Sequence, residues 1–424
     1  MTASLDNSYY AASAQPFPAQ PVLQGEHQAD VCVIGGGFTG LSTALCCAEA
    51  GFDTILIEAD VIGGGASGRN GGQLIPGLNV EAEYLAKMLG DEDGLRLYKL
   101  AASARDSVHN RIAKHDIDCD LRDGHFHIAA KKADFEAMDR EYSYATAKLG
   151  AAGLELIPAA SVEDYVAVDG YHGGIFNHQG GHFHPLKYAR GLAQAATDAG
   201  ARLFEHSRVI SVGDDKAPVV KANEGAVKAK HVVLACDSFM EGLSREIGSH
   251  TMPVLNYIIA TEPLSEERAR SLIPSGAAIS DSRFVINYFR LSADQRLLFA
   301  GGEKYTPYPP ADIAAFVRPY MLKLFPQLSD IKIDYAWGGA VGITVNRLPH
   351  FGRRGNVFFA HGYSGQGTLL TTLAGELIAE AIAGTAGRFD LFSSIKHQQF
   401  PGGQLLRSPL YVAGMLYYAM RDRL

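Results

Sequence analysis

Three glycines, Gly35, Gly37 and Gly40, stand in the order G-x-G-x-x-G, and a carboxylate, Glu58, follows further along the chain. That arrangement suits a dinucleotide. The first glycine permits a tight turn, the second lets backbone approach a pyrophosphate, and the third lets a helix pack closely on a strand. Free N–H groups at the helix start, over Phe38, Thr39 and Gly40, then face the phosphate oxygens. Glu58, with Ala59 beside it, would accept hydrogen bonds from ribose hydroxyls, and its charge would repel a 2′-phosphate. The glycine pattern alone occurs by chance, so its weight depends on the elements around it.

Those elements fit. Asp30–Gly37 is an apolar run ending in glycines, the signature of a buried parallel strand feeding a turn. Phe38–Ala50 is alanine-rich and closed by Gly51, as a close-packed helix would be. A second strand, Thr54–Glu58, completes a βαβ unit. Next comes IGGGASGRNGGQ, Ile62–Gln73, where Ala66, Ser67, Arg69, Asn70 and Gln73 interleave with glycines that include Gly71 and Gly72. Such a loop can run beneath an extended cofactor and offer it backbone N–H groups and one cation. It favours FAD over NAD.

Further along, Val232–Ala235 and Val357–Ala360 read as buried strands, the latter leading through a glycine-rich turn into a helix over Thr368–Ile382 capped by Gly384. Between them Val254–Ala260, Phe284–Phe289 and Leu297–Ala300 are aromatic and β-branched runs that suggest an antiparallel sheet. The fold class expected is therefore α/β: a discontinuous Rossmann-type FAD-binding domain (residues 29–80, 180–245 and 338–390) with an inserted antiparallel-sheet substrate domain (81–179 and 246–337). Residues 1–28 read as an extended arm, since Pro16, Pro18 and Pro21 oppose a helix. Residues 391–424 form a tail.

Composition bounds the function. The 424 residues carry a net charge of −8, with no basic stripe to release counterions from nucleic acid. No apolar run is long enough to span a bilayer. Pro409–Met420 is the longest apolar hint, and packing suits it better than a membrane surface because it lacks a basic face. Cys32, Cys46, Cys47, Cys119 and Cys236 form no CxxC pair and read as reduced, structural residues. A cytoplasmic address is the expectation. No oligomeric state follows.

The sequence resembles the FAD-dependent D-amino-acid-oxidase-like superfamily, and in particular its branch that oxidises acylated polyamines such as γ-glutamylputrescine. The resemblance rests on SYYAASA (Ser8–Ala14), DVCVIGGGFTGLSTAL (Asp30–Leu45), GASGRNGGQL (Gly65–Leu74), GGHFHPL (Gly180–Leu186), RLSADQRLLFAGG (Arg290–Gly302), GYSGQG (Gly362–Gly367) and FPGG (Phe400–Gly403). It implies non-covalent FAD, with Gly35, Gly37, Gly40 and Glu58 at the ADP half. Ser67, Arg69, Asn70, Gly72 and Gln73 would lie along the pyrophosphate and flavin, with the backbone of Val209 at adenine and Gly338 near the ring. Gly362, Ser364, Gly365, Gln366, Gly367 and Thr368 match the loop beside the isoalloxazine. There the positive end of the following helix would stabilise charge on the reduced ring.

The sequence also departs from that family. The cysteine that covalently holds FAD in sarcosine-oxidase-like relatives has no counterpart in Gly339–Thr344. The lysine that promotes their reaction with oxygen is missing from Leu297–Ala300, although Lys304 lies just beyond. The usual A-A-G is Ala235-Cys236-Asp237.

Flavin oxidation of an amine needs the neutral amine, so the substrate site should be largely apolar. Tyr288, Phe289, Trp337 and Tyr363 are candidate walls, although each serves core packing equally well. Arg290 and Arg347 are candidates for a substrate carboxylate. His184, paired with His182 around Phe183, suits a structural or substrate-edge role; no metal is expected, because further ligands are lacking. The activity expected is oxidative deamination of a primary amine to an aldehyde, ammonia and hydrogen peroxide, with oxygen as acceptor. A dehydrogenase of D-amino or N-methyl amino acids and a non-catalytic flavin-binding protein are the alternatives.

Overall fold

A computed structural model describes residues 5–213, 216–302, 308–401 and 412. Among them two sheets carry the fold, one of eight strands and one of nine. The first runs in the order His350–Arg354, Val357–His361, Gly225–Leu234, Gly25–Ile34, Thr54–Ile57, Arg202–Phe204, with Val209–Val212 and Val219–Ala222 flanking Gly225–Leu234. Its central strands are parallel.

Parallel strands are covered on both faces, which explains their unbroken apolar character. Val31 and Val33 face a cluster with Leu41, Leu45 and Leu373, whereas Cys32 and Ile34 face Val227 and Met240 on the other side. The helix Phe38–Glu49 lies against Gly367–Ile382 at close range. A Cβ on Gly375 would come within 2.5 Å of Ser42, and Ser42 Oγ donates to Thr372 O at 2.7 Å. The thiols of Cys32 and Cys47 are buried and Cys46 lies partly so. Burial raises the Cys46 pKa to about 11.

The second sheet runs Ile333–Thr344, Thr251–Thr261, Leu297–Ala300, Tyr288–Leu291, Ala278–Asp281, Arg122–Ile128, Gly173–His182, Gln73–Leu74, with Leu154–Pro158 paired to Gly173–His182. It is antiparallel except where Ala278–Asp281 runs parallel to Arg122–Ile128. These two strands belong to different insertions, so no hairpin joins them. The sheet also draws in Gln73–Leu74, most of Ile333–Thr344 and the end of Gly173–His182, which lie outside 81–179 and 246–337. Leu297–Ala300 is a buried strand of this sheet. The strand expected over Phe284–Phe289 falls instead at Tyr288–Leu291, because Asn287 turns inward to donate Nδ2 to Asp281 Oδ2 at 2.9 Å.

The N-terminal arm is corrected by the structure. Tyr9–Ser13 is a helix whose N-cap, Ser8, accepts from Ala11 N at 3.1 Å. The prolines oppose a helix only after this turn. Tyr9 and Tyr10 are both buried, so this segment is anchored in the core. Gly402–Gly403 and most of Pro409–Met420, like Lys304, lie outside the described residues. No helix among the described residues is long and apolar enough to cross a membrane.

Candidate functional site

A cleft of about 430 Å³ opens along the carboxyl ends of the parallel strands Gly25–Ile34 and Thr54–Ile57. Its first wall is the glycine turn. Gly35 adopts φ +113°, a conformation that L side chains rarely take. A Cβ on Gly40 would lie 1.9 Å from Gly35 O, so the helix can approach the strand only with glycine there. Ser67 Oγ accepts from Phe38 N at 2.8 Å and thereby fixes the glycine-rich loop over the helix start.

Glu58 is the acid of this wall. Its Oε2 accepts from Gly36 N at 2.6 Å and its Oε1 from Asp60 N at 2.8 Å. Burial raises its pKa, against the lowering effect of those backbone donors. Each carboxylate oxygen keeps a further lone pair for a hydroxyl. Cys236, also on the wall, donates Sγ to Ile34 O at 3.3 Å, and burial pushes its pKa to about 12.

Ala59, Ala66, Ser67, Asn70, Val209, Gly365, Gly367 and Thr368 line the same cleft, together with Phe38 and Thr39. Sequence reasoning omitted Asp60, Arg208, Asp237, Phe239, Gly342 and Thr371, which also line it. Asp237 had surfaced only as a departure in A-A-G. Gln366 caps the helix Gly367–Ile382, so that helix starts at the cleft as expected from the sequence.

Other residues stand behind the wall and shape it. Arg69 is buried, with Nε donating to Gly64 O at 2.7 Å. A Cβ on Gly339 would lie 3.2 Å from Arg69 Cβ, while Gly338 packs against Tyr257. Gly71 and Gly72 are pressed against Tyr288 and Phe183 O, and Asn70 Oδ1 accepts from Gly72 N at 2.8 Å. Gln73 points the other way, into the second sheet, where Nε2 donates to Ile279 O at 2.8 Å. Gly362 adopts φ +70°, and Ser364 Oγ accepts from Thr344 N at 3.1 Å.

The seven substrate-side candidates separate, and Phe289 belongs to the core of the second sheet, stacked on Phe299 with ring centroids 5.6 Å apart. Tyr363 lines the cleft, with its hydroxyl 2.8 Å from Thr39 Oγ1. Tyr288 is partly buried and donates to Asn256 Oδ1 at 2.8 Å. Trp337 is buried edge-on to Tyr10, and Nε1 donates to Arg69 O at 3.0 Å. Arg290 is 4% exposed and spends its guanidinium on Gly71 O (2.7 Å), Phe183 O (2.9 Å), Leu291 O (3.2 Å) and Tyr10 OH (3.2 Å). It braces the loop through neutral acceptors; a bidentate grip on a substrate carboxylate would need the N–H groups already engaged.

His184 is an N-cap. Its Nδ1 accepts from Lys187 N at 3.1 Å, which leaves the proton on Nε2 to donate to Ser13 Oγ at 3.0 Å. Burial draws its pKa down to about 3. Arg347 is partly exposed, and its guanidinium lies 5.8 Å from the Phe284 ring centroid. Among the described residues no group of three His, Cys, Asp or Glu is arranged to hold a metal ion.

The model of the FAD dependent oxidoreductase family matches residues 30–381. The chain belongs to that family. Among its relatives, a gamma-glutamylputrescine oxidoreductase of Escherichia coli is 41% identical over 420 residues, covering 99% of this chain and 98% of that protein. A probable oxidoreductase, OrdL, of Haemophilus influenzae is 37% identical, covering 98% and 96%. In fold, the crystal structure of glycine oxidase from Geobacillus kaustophilus superposes with a TM-score of 0.72 at 22% identity, covering 88% of this chain and all of that one. FAD is thus the cofactor of this oxidoreductase. The donor set fits it: a turn that only glycine allows and a partly buried carboxylate with lone pairs to spare, both lining one cleft of about 430 Å³.

Proposed function

We propose that this oxidoreductase deaminates γ-glutamylputrescine or a similarly acylated polyamine, with oxygen as acceptor. The observation that carries the reading is the end-to-end 41% identity to a gamma-glutamylputrescine oxidoreductase. In the balanced reaction, amine, oxygen and water give aldehyde, ammonia and hydrogen peroxide. Bound FAD would take the hydride from the carbon next to nitrogen and return the electrons to oxygen.

The chain's residues serve positioning and field. The N–H groups of Phe38, Thr39 and Gly40 would hold the pyrophosphate, with Gly35 and Gly37 clearing its approach. Glu58 and Ala59 would take the ribose, and the Val209 backbone the adenine. Ala66, Ser67 and Asn70 would follow the cofactor towards the ring, on a loop held by Arg69, Gly71, Gly72 and Gln73. The start of helix Gly367–Ile382 would place its positive end against the ring, framed by Gly338, Gly362, Ser364, Gly365, Gln366 and Thr368. Arg347 is the candidate for the γ-glutamyl carboxylate, and the apolar surroundings of Tyr288 would keep the amine neutral.

A second reading, a dehydrogenase, is favoured by one observation: Leu297–Ala300 is wholly apolar and buried, without the lysine described above. Anaerobic mixing with γ-glutamylputrescine should bleach the flavin far faster than putrescine does, and air should restore the colour with stoichiometric peroxide. Equal rates for the two amines would refute the substrate. Slow reoxidation without peroxide would make the protein a dehydrogenase.

A further inference from the structure

The strand Gly225–Leu234 leaves the first sheet through Ala235-Cys236-Asp237, and Asp237 adopts φ +41°. That left-handed conformation costs a non-glycine residue free energy, though least for Asn and Asp. The side chain offsets the cost. Oδ1 accepts from Gly362 N at 2.8 Å, and Oδ2 accepts from Gly342 N at 3.2 Å and from Ser238 Oγ at 3.1 Å. One carboxylate therefore joins three segments distant in sequence: the end of a first-sheet strand, the long strand Ile333–Thr344 of the second sheet, and the turn that precedes helix Gly367–Ile382.

Both strand and turn form cleft wall. Gly342 lines it, as do Gly365 and Gly367 beyond the turn. Ser364 N adds a bond to Gly342 O at 2.9 Å, so the two segments are tied directly as well as through Asp237. The fit at Gly342 is tight: a Cβ there would lie 2.7 Å from Asp237 Oδ1.

We propose that Asp237 is a positioning residue for the flavin, clamping Gly342 and the Gly362 turn into the wall against which the ring is held. The inference rests on the reading that this cleft holds FAD as described above. The clamp consumes the Gly342 and Gly362 N–H groups, so other donors of this wall must serve the cofactor. Losing it leaves the two segments tied only by Ser364 N to Gly342 O, so their spacing in the wall can shift and the surroundings of the ring change with it.

The test is FAD titration of the apoprotein with visible circular dichroism of the bound flavin. Asp237→Ala should weaken FAD binding about tenfold or more, as loss of charge-assisted hydrogen bonds does, and should alter the flavin band. Asp237→Asn keeps one acceptor and should stay within about threefold of wild type, with its band preserved. Gly342→Ala should reproduce the Asp237→Ala defect by displacing the carboxylate, and should add little further loss in the Asp237→Ala background. FAD binding and band unchanged in Asp237→Ala would overturn the proposal, as would a Gly342→Ala cost that is fully additive. Should Asp237→Ala fail to fold, Gly342→Ala alone decides: an altered band supports the clamp, an unaltered one overturns it. Wild-type apoprotein that takes up no FAD would instead sink the reading of the cleft.

Discussion

The glycine turn of the cleft and the packing behind its glycine-rich loop are built by different means. At the glycine turn the working groups are backbone N–H donors, set by local geometry, and the single acid, Glu58, is itself held by two backbone donors. Behind the glycine-rich loop, by contrast, side chains from remote positions interlock: His184, Arg290 and Trp337 each meet Tyr10, and Arg290 and Trp337 reach the carbonyls of Arg69, Gly71 and Phe183. Backbone donors survive substitution of neighbouring side chains, except at glycines such as Gly35 and Gly40 where a Cβ would clash. Interlocked buried side chains do not, since each removal strands a partner.

That contrast can be tested from its strongest consequence downward. His125, His182 and His184 are buried, and burial pulls each pKa down to about 3. Between that value and the unfolded value near 6.5, the unfolded chain binds protons that the folded one refuses. Stability is therefore full above about pH 6.5 and falls with pH down to about 3. Each histidine should cost about 2 kcal/mol at pH 5 relative to pH 7. Urea unfolding at the two pH values measures it, and equal midpoints would show that these imidazoles are not buried neutral.

Arg290→Ala should lower the unfolding free energy by about 3 kcal/mol, by stranding Gly71 O and Phe183 O in a buried setting. A loss below 1 kcal/mol would mean that water reaches those carbonyls. Glu58→Ala should weaken FAD binding by roughly 1.5–3 kcal/mol while leaving apoprotein stability nearly unchanged, since its donors face the open cleft. A matching drop in apoprotein stability would erase the distinction between the two regions. Smallest is Tyr10→Phe, which removes one acceptor from Arg290 Nη2 and should cost about 1 kcal/mol of stability. Full stability would assign Tyr10 to packing alone.

The same contrast explains what could be read in advance. Gly35, Gly37, Gly40 and Glu58 belong to one local unit, so their spacing carries the geometry, and the strand–turn–helix followed from apolar runs and glycines. The parallel pairing of Ala278–Asp281 with Arg122–Ile128 did not, because long-range pairing leaves no local trace. The helix Tyr9–Ser13 was masked by the prolines after it, although SYYAASA held its cap and both buried tyrosines. Arg290 illustrates the limit for side chains. Its charge suggested a carboxylate partner, whereas its acceptors are carbonyls brought together only by the fold. Asp237 was visible as an odd residue, but its partners Gly342 and Gly362 are more than a hundred positions away.

The pairing of Gly25–Ile34 with Gly225–Leu234, and of Tyr10 with Arg290 and Trp337, sets an order of events at the ribosome. Gly25–Ile34 pairs at once with Thr54–Ile57, yet its other neighbour is made late, and Val357–His361 joins the first sheet later still. Folding cannot be completed in step with synthesis. The nascent chain must keep one apolar edge of Gly25–Ile34 unpaired until Gly225–Leu234 exists, which exposes it to aggregation meanwhile.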